Sequence, residues 1–207
     1  VSSLGSSLTN LTINKSGVVE LGGNVAVNGT LSLTLGDLNV GSGTLTLGPN
    51  SNVLNPSSSS HIMALSTGEV RKIYNTNGSF VFPVGDGTNY TPVTVDFTSG
   101  TSLSGASDDY IGVRLKTSKV TGMNSANTSY IDRSWFIEPG AGISNYAYTV
   151  TMKYVDGDVV GTESSIKPVK NSSGAWYYPS DVSFLDGSPI SGSLSNLSDP
   201  ASNVLVW

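Results

Sequence analysis

Leu11-Thr-Ile13, Val19-Glu-Leu21, Val25-Ala-Val27, Leu31-Ser-Leu33, Leu38-Asn-Val40 and Leu45-Thr-Leu47 decide the fold. Each is an apolar pair at i and i+2, and successive pairs start six to eight residues apart. Alternation with period two makes strands with one buried face. Between the pairs stand Gly17, Gly22-Gly23, Gly29, Gly36, Gly41, Gly43 and Gly48, often beside Asn or Ser. Such residues supply the positive-φ positions of tight turns. The apolar runs are too short for helices, and β-branched residues are plentiful among them.

Two architectures fit this rhythm. One is a meander of antiparallel hairpins. The other is a three-sided β-solenoid, in which three short strands and three turns make a coil of roughly twenty residues. Even spacing and very short strands favour the solenoid. On that reading Leu11, Leu31 and Val53 stack on one face, Leu38 lies over Val19, and Leu45 lies over Val25. The stretch holds only about two coils, fewer than a free-standing solenoid needs. It is therefore expected to lean on the following domain or on another chain.

Asn55-Pro-Ser-Ser-Ser-Ser60 separates two patterns. Residues 1–58 are expected to form the short β-solenoid and residues 59–207 an antiparallel β-sandwich. In the second part, strands are read at Glu69–Tyr74, Ser79–Val84, Pro92–Phe97, Tyr110–Lys116, Arg133–Glu138, Tyr146–Tyr154, Ser165–Lys170, Ala175–Tyr178 and Asn203–Trp207. Trp135, Phe136, Tyr148, Tyr154, Trp176 and Tyr178 are expected to supply its core, with Arg133, Trp135 and Ile137 on one face of their strand. No segment longer than one turn reads as helical.

Composition narrows the function classes. Charged residues make up 12 % of the 207, while 37 % are hydrophobic, enough for a folded core. Net charge is −5, and the longest basic run is Arg71-Lys72, so no stripe can follow a phosphate backbone. Nucleic acid is not an expected partner. No apolar run approaches membrane-spanning length, so membrane insertion is not expected either. Cysteine is absent, which removes disulfides and thiolate chemistry. The first residue is Val1, and no signal peptide is read, so a mature form or an excised piece is expected.

Chemistry-bearing constellations are sparse. His61 is the single histidine, and no Gly-x-Ser-x-Gly elbow surrounds a candidate serine. Asp108-Asp109 and Asp156/Asp158 are the closest carboxylate pairs, but sequence neighbours do not make the facing pair that a glycosidase needs. No catalytic residue and no cofactor are assigned. For calcium, Asp86 and Asn89 lie in a Gly-rich loop, and Asp156-Gly-Asp158 is a second compact oxygen cluster. Neither has EF-hand spacing, and the competing reading is that Asp and Asn serve the turns. Calcium is not expected to be needed for folding. Trp176 and Tyr178 share one face of their strand and are expected to point inward, leaving Tyr177 outside.

Leu8-Thr-Asn-Leu-Thr-Ile-Asn-Lys-Ser-Gly17 and Val25-Ala-Val-Asn-Gly-Thr-Leu-Ser-Leu-Thr34 resemble repeats of large Bacteroidota surface proteins, and Gly36-Asp-Leu-Asn-Val40 and Thr44-Leu-Thr-Leu-Gly48 continue them. Phe80-Val-Phe-Pro-Val-Gly-Asp-Gly-Thr-Asn-Tyr-Thr-Pro92 is similar to the segment C-terminal to those repeats, as are Arg133-Ser-Trp135, Tyr154-Val-Asp-Gly-Asp-Val159 and Ala175-Trp176. The resemblance implies export and a place on the bacterial cell surface or in the medium, with no common catalytic activity. The expectation is an extracellular structural or adhesive protein that joins copies of itself head to tail through strand edges. Val1–Ser7 holds no charge to oppose this, and Val204-Leu-Val-Trp207 is a hydrophobic strand. The alternative is a glycan-binding module of a larger surface adhesin, with surface glycans as partners.

Overall fold

The structure, a computed structural model, describes residues 6–65, 67–99, 103–120, 122–123, 126–143, 147–172, 175–177, 182–185, 191–197 and 203–206. The first strands are β1 (Ser6–Leu8), β2 (Leu11–Glu20), β3 (Val25–Val27), β4 (Thr30–Asn39), β5 (Thr44–Leu47), β6 (Asn52–Leu54) and β7 (Ile62–Met63). Then come β8 (Glu69–Ile73), β9 (Ser79–Phe82), β10 (Val84–Gly85), β11 (Val93–Ser99), β12 (Tyr110–Lys116), β13 (Tyr130–Ile131) and β14 (Ser134–Pro139). The last are β15 (Ala147–Lys153), β16 (Val159–Val160), β17 (Val169–Ser172), β18 (Ala175–Tyr177), β19 (Val182–Leu185), β20 (Ser191–Leu197) and β21 (Asn203–Val206). Helical structure among the described residues is confined to the three-residue turns Asp156–Asp158 and Glu163–Ser165.

The N-terminal half is a β-solenoid of about four turns. One wall stacks β1, β3, β5 and β8 in parallel. The other two walls are formed by β2 and β4, with β6 on the first half of β4 and β7, then β10, on its second half. Parallel pairing chooses the solenoid over the meander. Leu11 pairs with Leu31 and Leu31 with Val53; Val19 pairs with Leu38 and Val25 with Leu45, the stacking that the spacing predicts. The side chains of Val27, Leu31, Leu33, Leu38, Val40, Leu45 and Leu47 fill the interior and are fully buried.

β2 and β4 are ten residues long because each turns a corner without leaving its sheet. At that corner Asn14 pairs with Leu35 and Val18 with Asp37, so Lys15–Gly17 stand opposite Gly36 alone. Gly36 has φ +77°, and a Cβ there would collide with the carbonyl oxygens of Lys15 and Gly17. Only glycine lets the two coils close at this point.

Parallel pairing continues past Ser60. Ile62 pairs with Leu38 and Val84 with Ile62, while β8 pairs with β5. Asn55–Ser60 forms a corner of the third coil, where the Ser60 hydroxyl donates to Gly36 O over 2.8 Å. β8 then pairs on its far side with β12, antiparallel, and the sheet continues β12-β14-β21-β17-β18, nine strands in all. A five-stranded antiparallel sheet has the order β19-β20-β15-β11-β9. Val113, Leu115, Trp135 and Ile137 of the long sheet belong to one continuous buried cluster. Val93, Val95, Tyr148, Val150 and Met152 of the shorter sheet and the solenoid leucines belong to the same cluster. Trp135 is fully buried and its indole N–H donates to Thr91 O over 3.3 Å.

Candidate functional site

The solenoid presents an open coil edge. Among the described residues, β1 and β2 end their sheets, so the outward backbone groups of the first coil pair with no strand. Its interior is also less closed. Leu31, Leu33 and Leu38 of the second coil are fully buried, whereas Leu11, Val19 and Leu21 of the first are half-buried. Leu8, Val18 and Leu35 are exposed close to this edge.

Asparagines bind coil to coil. Asn10 Oδ1 accepts from the Thr30 backbone N–H at 2.8 Å, and Asn24 Oδ1 accepts from that of Thr44 at 2.9 Å. The Thr30 hydroxyl donates to Asn52 Oδ1 over 2.8 Å, and Asn39 Nδ2 donates to Glu20 Oε1 over 3.2 Å. The Asn residues between the apolar pairs thus serve as rungs between successive coils as well as turn formers.

Of the four calcium candidates, the structure brings Asp86, Asn89 and Asp158 together around the guanidinium of Arg133. Arg133 Nη2 donates to Asp86 Oδ2 over 2.6 Å, and its Nε and Nη2 donate to the two oxygens of Asp158 over 2.7 and 3.0 Å. Asp86 Oδ1 accepts from the backbone N–H groups of Thr88 and Asn89, and Oδ2 accepts from Asn89 Nδ2. Asp156 is exposed, on the turn before Asp158. Among the described residues no group of three His, Asp or Glu is arranged to hold a metal ion. Burial would push the Asp86 carboxyl up; Arg133, the N–H groups of Asn89 and Thr88 and the Asn89 amide outweigh it and bring it down to about 2. Burial likewise opposes the charge on Arg133, and the carboxylates of Asp158 and Asp86 more than restore it. Arg133 Nη1 is buried with no partner among the described residues. The signal that sequence reasoning missed is positional: Arg133 lies in the row of Trp135 and Ile137, and a guanidinium on a buried face requires carboxylates.

His61 is fully enclosed. Its Nδ1 lies 3.1 Å from Asp37 Oδ1, its backbone N–H donates to the same oxygen, and its Nε2 accepts from the Gly87 N–H at 3.2 Å. An Nε2 that accepts leaves the ring proton on Nδ1, facing the Asp37 carboxylate. The imidazole ties the third coil to the Asp86 loop. Asp109, next to exposed Asp108, accepts from the Ser104 hydroxyl and from the N–H groups of Ser104 and Ala106, which makes it a turn anchor. Lys72 carries no signal in the sequence that marks it out. Its Nζ donates to the carbonyls of Gly48, Pro49 and Ser51 at 2.5, 2.8 and 3.2 Å, and burial pulls it down to about 8.

Two aromatic assignments need correction. Trp176 pairs with Asn171, Asn171 with Val204, Val204 with Phe136, and Phe136 with Arg114. This register puts Trp176 and Phe136 in the row opposite to that of buried Trp135, on the outer face, and both are half-buried. Tyr178 lies outside the described residues. On the same outer face the Arg71 guanidinium sits 4.2 Å from the Tyr110 ring centre, and that of Arg114 sits 3.9 Å from the Phe136 ring centre.

The chain matches no protein-family model, no curated protein and no solved structure. No helix among the described residues is long and apolar enough to cross a membrane.

Proposed function

We propose that this chain is an extracellular structural and adhesive protein of the bacterial surface, of the kind that its repeats resemble, and that it joins copies of itself through strand edges. The observation that carries the reading is the open coil edge at β1 and β2, flanked by exposed Leu8, Val18 and Leu35. Unpaired strand edges beside apolar side chains are templates for another chain. The rungs add specificity. An incoming coil with Asn at the same corner would meet the Asn10 N–H as Asn10 itself meets that of Thr30. In this reading the antiparallel strands behind the solenoid form a sandwich that closes its other end, supported by the single buried cluster that both antiparallel sheets share. The fold then does structural rather than catalytic work.

Sedimentation or light scattering across a concentration series tests the assembly. The parent should form higher-order species, and V18K/L35K should abolish them with circular dichroism unchanged. A parent that stays monomeric at high concentration refutes self-assembly and leaves the edge to a coil of the same polypeptide. A second reading, a glycan-binding module of a larger adhesin, draws on the outer face that carries Tyr110, Phe136 and Trp176 beside Arg71 and Arg114.

A further inference from the structure

We propose that a cleft on the outer face of β12 and β14 binds the carboxylate of an acidic sugar, a uronate unit of a polysaccharide. The inference rests on the second reading above and names its ligand class. The cleft has a volume of about 520 Å3 and is lined by Leu65, Thr67, Arg114, Lys116 and Glu138. Its origin is a change of neighbour along β12. β8 pairs with β12 only from Tyr110 to Val113; beyond that, the Leu115 N–H donates to Ala64 O over 2.9 Å. The segment leaving β7 thus takes the place of a strand and raises Leu65 and Thr67 as a wall beside the flat sheet.

The chemistry of the lining selects the ligand. Arg114 is fixed on two sides, stacked on Phe136 and donating from Nη2 to Glu138 Oε1 over 3.0 Å. Its Nε and Nη1 have no partner among the described residues, so ordered donors stand ready at little cost in side-chain entropy. Lys116 is exposed two residues along the same strand, hence on the same face, and its Nζ lies 5.5 Å from the centre of the Phe136 ring on which Arg114 stacks. Two cations against one acid give the cleft a positive balance in a chain of net charge −5, which favours an anion there. Glu138 and Thr67 supply acceptors, so the ligand must donate hydrogen bonds as well as carry a carboxylate. Leu65 offers an apolar contact for C–H groups. A polyhydroxy acid meets all three demands. An acidic peptide side chain brings the carboxylate without the hydroxyls, and a neutral sugar brings the hydroxyls without the charge.

The test is a 15N-detected NMR titration of the full chain with trigalacturonate, its fully methyl-esterified form, and a hexaglutamate peptide. Trigalacturonate should shift Thr67, Arg114 and Lys116 saturably, with the ester and the peptide at least about tenfold weaker, the scale of one charge-assisted contact. Arg114→Gln and Lys116→Gln should each weaken trigalacturonate severalfold. Lys116 is exposed, so its variant keeps the fold even if loss of the Arg114 stack disturbs β14. Equal binding of acid and ester at these residues overturns the carboxylate assignment and leaves a glycan module. Equal binding of hexaglutamate overturns the sugar assignment. No response to trigalacturonate or its ester overturns both the inference and the glycan reading.

Discussion

Replacing Arg133 with methionine removes a charge from a site built around it. The side chain is 1 % exposed and the carboxylates of Asp86 and Asp158 are 9 and 11 % exposed, so solvent cannot take over its role. Held at about 2 against an ordinary 3.8, the Asp86 carboxyl by itself ties roughly 2 kcal/mol of stability to its ionised state. That contribution is present above pH 3.8 and is lost as pH falls through about 2. Arg133→Met leaves two buried carboxylates facing each other without a cation. Breaking a buried ion pair from one side costs about 3–5 kcal/mol, a large part of an ordinary domain's stability.

The sign of the pH dependence separates this account from simple loss of packing. Without the guanidinium, the Asp86 carboxyl loses one of the groups that held it down while burial still pushes it up, so it rises from about 2 towards its ordinary value. The parent loses its Asp86 contribution as pH falls from 3.8 through about 2, and the variant has less of it to lose, so the variant's deficit should shrink across that window. The triple variant R133M/D86N/D158N should recover a substantial share of the loss at pH 7. Urea denaturation with matched m-values measures all three proteins. A deficit below about 1 kcal/mol at pH 7, or one unchanged as pH falls through about 2, would refute the reasoning.

Trp135→Ala should cost about 3–5 kcal/mol, because it empties a fully buried site and orphans the Thr91 carbonyl; a melting curve like the parent's would contradict this. Gly36→Ala should cost more than the roughly 1–2 kcal/mol of a left-handed residue, since its Cβ also meets the Lys15 and Gly17 carbonyls. Gly22→Ala, whose Cβ would meet nothing within 4 Å, is the matched control in the same denaturation series. Lys72 is depressed to about 8 by burial, so the unfolded chain holds that proton more tightly, and parent stability should rise by roughly 1–2 kcal/mol between pH 8 and 9.5. Lys72→Met should flatten that rise in thermal melts across the same range. A chelator should leave the parent's melting curve unchanged, since Arg133 already supplies the cation between Asp86 and Asp158.

The coil stacking was legible because the apolar pairs and their glycines recur at near-constant spacing, and spacing is what parallel register needs. Leu11, Leu31 and Val53 fall into one column for that reason. The later coils were harder to read. Leu45 pairs with Val70, twenty-five residues on, after a step of twenty from Val25 to Leu45, and the inner row of β8 carries Lys72 where earlier coils carry an aliphatic residue. Its ammonium is admissible there because the carbonyls of the corner at Gly48–Ser51 receive it. The cluster at Arg133 was half legible. The acids stood out in Gly-rich turns, but their counter-ion lies 47 residues from Asp86, and nothing local joins the two. Trp176 shows the limit of alternation. The period says which residues share a face, while the register with β17 and β21 says which face is outside.

The open edge and the cleft lie on different surfaces of the same sheet. From β1 the order runs β3, β5, β8, β12, so the edge strand lies four steps from β12. At about 4.8 Å per step, that is roughly 19 Å. A partner coil paired to β1 extends the sheet in its own plane, and the outer faces of β12 and β14 point out of that plane. Contact through the edge therefore leaves Arg114 and Lys116 uncovered. The proposed assembly and the proposed sugar contact can thus hold together, each copy in a row offering one cleft. If so, a polyuronate chain long enough to span neighbouring clefts should bind assembled protein far more tightly than the V18K/L35K monomer, while trigalacturonate should bind the two alike. Equal affinity of the long chain for both forms would show that the clefts of an assembly do not act on one strand of polysaccharide.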